Sequence, residues 1–228
     1  MKPKFAIIGL GSFGGTVACE LVRLGHEVLG IDVDEARVNK HADRLTQTLI
    51  ADGTDDKVIE ELGLQKYDAV VVAIGENLEA SILSTLALKS SGCERVWVKA
   101  TNDTHHRILS RLQADRIIHP EHEIGVRVAQ SLTHPQMLDY ISLGQGWFVV
   151  EINVNEHIAA RKSYEQELDF ADLKMVLVKR GSIVVPPPYR GVLLQMGDQI
   201  VLAGLLDNLL KFAKRMMCEV GCHIYPFW

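Results

Sequence analysis

The stretch Ile7-Ile8-Gly9-Leu10-Gly11-Ser12-Phe13-Gly14 decides how this chain is read. It sets G-x-G-x-x-G between an apolar run at residues 5–8 and a helical pattern at 16–24, where Val17, Leu21 and Leu24 share a face. A second apolar run, 28–31, ends on Asp32, which lies 23 residues beyond Gly9 and close to the spacing of about 20 that a ribose-binding acid takes. Each part has a physical task. Gly9 permits the tight turn, Gly11 lets backbone approach a pyrophosphate, and Gly14 lets helix pack on strand. Free amides and the helix dipole then hold phosphates, and the Asp32 carboxylate accepts from ribose hydroxyls while repelling a 2′-phosphate. The competing reading is three turn glycines that bind nothing, with Asp32 as a helix cap. A phosphate-binding P-loop is excluded, because Gly15 stands where its lysine would be.

Outward from this loop, the first 140 residues alternate strand-length apolar runs (5–8, 28–31, 48–51, 69–74, 96–98 and 116–118) with helical patterns (16–24, 79–90 and 105–112). That alternation predicts a doubly wound, parallel Rossmann-like α/β sheet covered on both faces. Two further segments end strands on the same edge. Asp52-Gly53-Thr54 either meets an adenine ring or caps the next helix; Gly75-Glu76-Asn77 either closes over the middle of a ligand or is a plain glycine turn.

Residues 121–140 read as a helical exit, interrupted near His134-Pro135. Its apolar residues Val126, Val128, Ala129, Leu132 and Leu138 exceed what one sheet face needs, which predicts a symmetric oligomer. After Gly144-Gln145-Gly146 the texture turns strand-rich: 147–154, 175–179, 183–185 and 199–203, then a helix at 205–217 with Leu206, Leu209, Leu210 and Ala213 on one side. The expected division is a nucleotide-binding domain at 1–140, a small strand-rich α/β domain at 141–217, and a tail at 218–228.

Composition bounds the rest. Hydrophobic residues are 47% and charged residues 23%, so the chain is not disordered, and a net charge of −5 argues against a general nucleic-acid binder. No apolar run reaches the roughly 18 residues a membrane span needs, and residues 1–5 carry no signal-peptide pattern; the expected compartment is the cytosol. Cys19, Cys93, Cys218 and Cys222 make no disulfide framework; Cys218, Cys222 and His223 are either half a metal clip or a reduced tail. Catalytic equipment is missing. No tyrosine precedes a lysine by four positions, there is no G-x-S-x-G, and His119-Pro120-Glu121-His122 fits helix capping by Glu121 better than an acid–base cluster. A cofactor-type site without such groups points to a sensor whose ligand shifts a conformational equilibrium. The other readings are an NAD-linked oxidoreductase or accessory subunit, and a stand-alone NAD-binding redox sensor.

Four stretches carry a resemblance: residues 5–15, VVVAIG at 70–75, VWVKA at 96–100, and ADRIIHPE at 114–121, extended by GVRVAQSL at 125–132. With these the chain resembles the KtrA/TrkA-type regulatory subunits of bacterial potassium uptake systems, built from an RCK (KTN) N-lobe and C-lobe. The resemblance covers about 4–216. It implies a non-enzymatic, cytoplasmic homo-oligomer, N-lobe dimers assembled into a ring, which docks on a membrane-embedded potassium-translocating subunit and gates it. It implies ATP/ADP or NAD(H) as regulatory ligand, contacted by Gly9, Gly11, Ser12, Phe13, Gly14, Asp32, Asp34, Asp52, Gly53, Ala73, Ile74, Gly75 and Lys99, with Mg2+ or another cation at the phosphate end on Glu121. In some relatives the C-lobe binds cyclic di-AMP. The family motif commonly reads G-L-G-R-F-G, its arginine meeting the terminal phosphate. Here Ser12 offers a hydroxyl in place of a charged fork, which predicts weak discrimination among ATP, ADP and NAD.

Overall fold

The structure, a computed structural model, describes residues 2–133, 137–160, 164–189 and 191–217. Two compact units divide the chain, Met1–Glu123 and Ile124–Trp228.

The six predicted runs of the first unit all become strands: β1 (Lys4–Ile8), β2 (Glu27–Asp32), β3 (Gln47–Ile50), β4 (Ala69–Val72), β5 (Val96–Lys99) and β6 (Arg116–Ile118). Between and after them lie α1 (Ser12–Arg23), α2 (Glu35–His41), α3 (Asp56–Glu61), α4 (Leu78–Ser90), α5 (Asp103–Arg111) and α6 (Pro120–Thr133). Helices α2 and α3 are short and lie where the sequence showed no helical pattern. The strand order is β3-β2-β1-β4-β5-β6, every pairing parallel. The connections leave β1 to one side and β4 to the other, so a crevice opens between their carboxyl ends, where doubly wound folds hold ligands.

Both faces of the central strands are covered, which is why β1, β2, β4 and β5 carry apolar runs rather than an alternation, while the edge strands β3 and β6 are more exposed. On one face Ile7, Val28 and Val71 pack with Ala18 and Val38. On the other, Ala6, Ile8, Val70 and Val72 pack with Ala87, Leu88 and Leu109. Each fully buried valine, leucine or isoleucine among them contributes about 1.5–3 kcal/mol.

The second unit contains β7 (Met137–Gly144), β8 (Trp147–Asn153), β9 (Lys174–Arg180), β10 (Ile183–Val184) and β11 (Gln199–Leu205), with α7 (Glu156–Ala160), α8 (Tyr164–Phe170) and α9 (Leu206–Met217). The sheet is antiparallel, in the order β10-β9-β11-β8-β7. Here alternate residues face the core: Val150 and Ile152 of β8, Ile200 and Leu202 of β11, packed with Ile158, Leu168, Leu209 and Phe212 from the helices. That pattern is what a sheet with one buried face requires. The sheet is pinned by Arg180, whose Nε and Nη2 donate to Asp198 Oδ1 and Oδ2 at 2.9 and 2.8 Å.

One expectation is corrected. The helical reading of 121–140 holds only to Thr133; residues 137–140 belong to β7, where Tyr140 pairs with Val150. Leu138 therefore lies on a strand, and not on a helix face with Val126, Val128 and Leu132. Residues 134–136 lie outside the described residues, and the apolar residues after them find a strand partner in β8. Cys218, Cys222 and His223 lie outside the described residues.

Candidate functional site

The four helices α2 to α5 begin alike. Asp34, Asp55, Asn77 and Asn102 cap them, each side-chain oxygen accepting from amides of the first turn. Helix α1 begins differently. Its N-cap is Gly11, no side chain caps it, and no acid sits in its first turn. The positive end of α1 thus stays uncapped, and it faces the crevice between β1 and β4.

The loop before α1 is held by its own backbone. Gly9 N donates to Ile31 O at 2.8 Å, and Ala73 N to Ile8 O at 2.7 Å. Gly9 has φ +97° and therefore needs glycine. Gly14 is needed for space: a Cβ there would lie 1.9 Å from Gly9 O and 2.8 Å from Ala73 Cβ. Gly11 is different. A Cβ there would meet nothing nearer than Arg37 Nη1 at 3.9 Å, so the chain itself does not demand glycine. The room in front of it belongs to the crevice.

That crevice has a volume of about 250 Å³. It brings together Gly9, Gly11, Ser12, Phe13, Asp32, Asp52, Gly53, Ala73, Ile74, Gly75 and Lys99, with Glu76 and Asn77 at its rim. Asp32 is buried at 6% exposure, and its carboxylate is fixed by Leu10 N on Oδ2 (2.6 Å) and Asp34 N on Oδ1 (2.9 Å). Each carboxylate oxygen keeps a second lone pair to accept from a hydroxyl. Lys99 supplies buried positive charge at the other end. Its Nζ lies 5.9 Å from the Phe13 ring centroid and donates to Glu121 Oε1. That hydrogen bond, more than the opposing effect of burial, holds the Glu121 carboxyl below its ordinary range.

Three predicted residues do not line the crevice. Gly14 packs behind it. Asp34 caps α2, its Oδ1 accepting from Ala36 N at 2.8 Å. Glu121, in the first turn of α6, reaches it only through Lys99. Nor do Asp52 or Thr54 cap α3; Asp55 does, while Asp52 Oδ1 accepts from Thr54 N and Oγ1 at 2.9 and 2.8 Å. The HPEH segment is divided: His119 Nε2 lies 2.7 Å from His106 Nδ1 with the rings stacked. Among the described residues no three His, Cys, Asp or Glu side chains group as metal ligands.

Sequence reasoning missed Arg37. From α2 it lines the crevice, donates from Nη2 to Glu76 Oε2 at 3.1 Å, and lies 3.9 Å from Asp32 and 3.5 Å from Asp34. The spacing Asp34-x-x-Arg37 is a one-turn pair on a helix and was the available signal.

The TrkA-N domain model matches residues 5–120. The chain is 38% identical over 218 residues to Ktr system potassium uptake protein C of Bacillus subtilis (strain 168), covering 95% of this chain and 99% of the relative. It is 36% identical over 216 residues to Ktr system potassium uptake protein A of the same organism, covering 94% and 97%. The GsuK channel bound to NAD superposes with a TM-score of 0.64 at 13% identity, covering 98% of this chain. The chain spans 41% of that channel's length, and the likeness is one of fold. The GsuK RCK domain superposes at 0.53 with 20% identity, covering 94% of this chain and 46% of the other.

Proposed function

We infer the function from one fact: the chain belongs to the TrkA-N domain family, matched over residues 5–120 and closely similar, nearly end to end, to Ktr system potassium uptake proteins. We read it as the nucleotide-responsive regulatory subunit of a bacterial potassium uptake system, its two units corresponding to the family's N-lobe and C-lobe. The observation that carries the nucleotide reading is the uncapped N-terminus of α1, facing a crevice that has Asp32 at one end and Lys99 at the other.

The adenosine half lies toward Asp32, Asp52 and Gly53. The phosphates lie over the first turn of α1 and reach Lys99. A phosphate arriving there competes with Glu121 for Lys99, so ligands that differ in their terminal group bind the two states of that pair unequally. Unequal binding is what shifts a conformational equilibrium. A cation at Glu121 would draw its remaining ligands from the phosphates and a second subunit. The chain gates its partner and leaves the nucleotide unchanged.

Potassium uptake by vesicles that hold the membrane partner tests this. Uptake is expected to depend on the added chain and on whether ATP or ADP is present, while Asp32→Ala weakens nucleotide binding by about 1–3 kcal/mol, measured by calorimetric titration. Uptake that is indifferent to the chain overturns the gating role, and steady NADH consumption would support the oxidoreductase instead.

Ser12 is exposed at the mouth of the crevice and brings no charge to a terminal phosphate. Ser12→Arg is expected to tighten ATP more than ADP, because only ATP carries the γ-phosphate charge. Equal changes in the two affinities would count against this placement of the phosphates.

Assembly is expected to use α6, whose Ile124, Val126, Val128 and Leu132 are exposed in the single chain. Light scattering should therefore give a multiple of 25.4 kDa. No helix among the described residues is long and apolar enough to cross a membrane.

A further inference from the structure

We propose that Cys19, paired with His41 in a basic cavity behind the glycine loop, is a modification site for anionic low-molecular-weight disulfides. The cavity has a volume of about 600 Å³ and lies apart from the Asp32 crevice, sharing only Gly11 and Ser12 with it. Cys19 Sγ lies 3.6 Å from His41 Nδ1, within hydrogen-bond reach for sulfur. His41 is itself 5% exposed, and its ring packs on the first turn of α1: a Cβ on Gly15 would lie 2.5 Å from its Nε2. Burial, aided by the charges of Lys40 and Arg44, pushes the His41 pKa below its ordinary value. The ring is thereby kept neutral, and its Nδ1 can take a hydrogen bond from the thiol.

The charge around the pair selects the reagent. Arg23, Lys40 and Arg44 face the cavity against one acid, Glu20. Glu20 is committed to Arg23, which donates to it from Nε at 2.8 Å and from Nη2 at 2.5 Å. Among the described residues Lys40 and Arg44 pair with no carboxylate, which leaves an excess of positive charge over the thiol. Such a cavity concentrates anions. In the reaction the thiol proton is lost to solvent as Sγ attacks one sulfur of the reagent. The Cys19 sulfur–sulfur bond forms, the reagent's own breaks, and its other half leaves as a thiolate with the electron pair. Cys19 is oxidised to a mixed disulfide and half of the reagent is reduced. Cys93 provides the contrast, being 4% exposed with its thiol pKa pushed up by burial.

The test uses the full chain carrying Cys218→Ser and Cys222→Ser, so that Cys19 and Cys93 remain. Its reaction with 5,5′-dithiobis(2-nitrobenzoate), an anion, and with cystamine, a cation, is followed by mass spectrometry with peptide mapping. Rates are normalised to those of 2-mercaptoethanol. At low salt Cys19 is expected to react at least about tenfold faster with the anion than with the cation after normalisation, the scale of electrostatic steering. The preference should collapse near 1 M salt, where the Debye length is about 3 Å, and in Lys40→Gln/Arg44→Gln. His41→Asn removes no charge from the neutral ring and should change both rates by the same factor, leaving the preference intact. An unmodified Cys19, or a normalised ratio near one that ignores Lys40 and Arg44, overturns the proposal. Lys40 and Arg44 are exposed, so that pair of substitutions decides the matter even where His41→Asn does not fold.

Discussion

Gly14→Ala is expected to cost the first unit about 3 kcal/mol and to abolish nucleotide binding. The added methyl would lie 1.9 Å from the Gly9 carbonyl oxygen and 2.8 Å from Ala73 Cβ. Neither contact is the far end of a flexible side chain. Relief requires α1 to withdraw from β1 or the loop to unfold, and both remove the amides that face the crevice. The cost is at the upper end of the range for overpacking. Thermal unfolding should show a drop of about 10 °C, and titration should show no nucleotide bound. Gly11→Ala is the contrast, because a Cβ there meets only Arg37 at 3.9 Å. That variant should keep the parent's melting temperature and lose affinity alone. Equal loss of stability in both would show that the crevice geometry has been misread.

Asp198→Ala is expected to lower the stability of the second unit by about 2–3 kcal/mol. Asp198 is 2% exposed, and its two oxygens receive Arg180 Nε and Nη2, with Gln195 N adding a third donor at 2.8 Å. Breaking a buried pair costs about 3–5 kcal/mol. The Arg180 side chain left behind is 39% exposed, so water screens part of that loss. The same contacts set a pH dependence. The Arg180 hydrogen bonds, against burial and with the Gln195 amide, hold the Asp198 carboxyl below its ordinary range. A depressed carboxylate pKa contributes stability that is present above the unfolded value, about 3.9, and is lost as pH falls through the folded one. Denaturant melts of the parent should weaken below about pH 4, while those of Asp198→Asn should change less over that range. Parallel acid limbs in parent and variant would refute the assignment.

The sequence placed the six strands of the parallel sheet to within two residues at either end, most plainly the central ones, because a strand buried on both faces must be apolar at nearly every position. It also located Gly9, Gly11 and Asp32, because a tight turn, a close backbone approach and an acid at a strand end each restrict the residue type. The second unit's β8, β9 and β11 were legible from the same kind of constraint, alternation on one buried face. Short helices were not legible. Helices α2 and α3 run for seven and six residues, too few for a periodic pattern to emerge. β7 was hidden by the apolar residues before it, since Val126, Val128 and Leu132 read on into Leu138 until Pro135 is given its weight.

Which polar residue does what was decided only by the tertiary structure. Asp32, Asp34, Asp52 and Asp55 are the same residue type within 24 positions. In the folded chain one holds Leu10 and faces the crevice, one caps α2, one bonds Thr54 at the crevice wall, and one caps α3. Arg37 comes to the crevice because α2 turns it back toward Asp32, and Lys99 meets Glu121 because β5 and α6 converge there. Apolar periodicity is a local property, imposed by which face of an element is buried, and it can be read along the chain. The role of a carboxylate depends on which donors lie within about 3 Å of it, and those donors come from residues distant in sequence, which only the fold brings together.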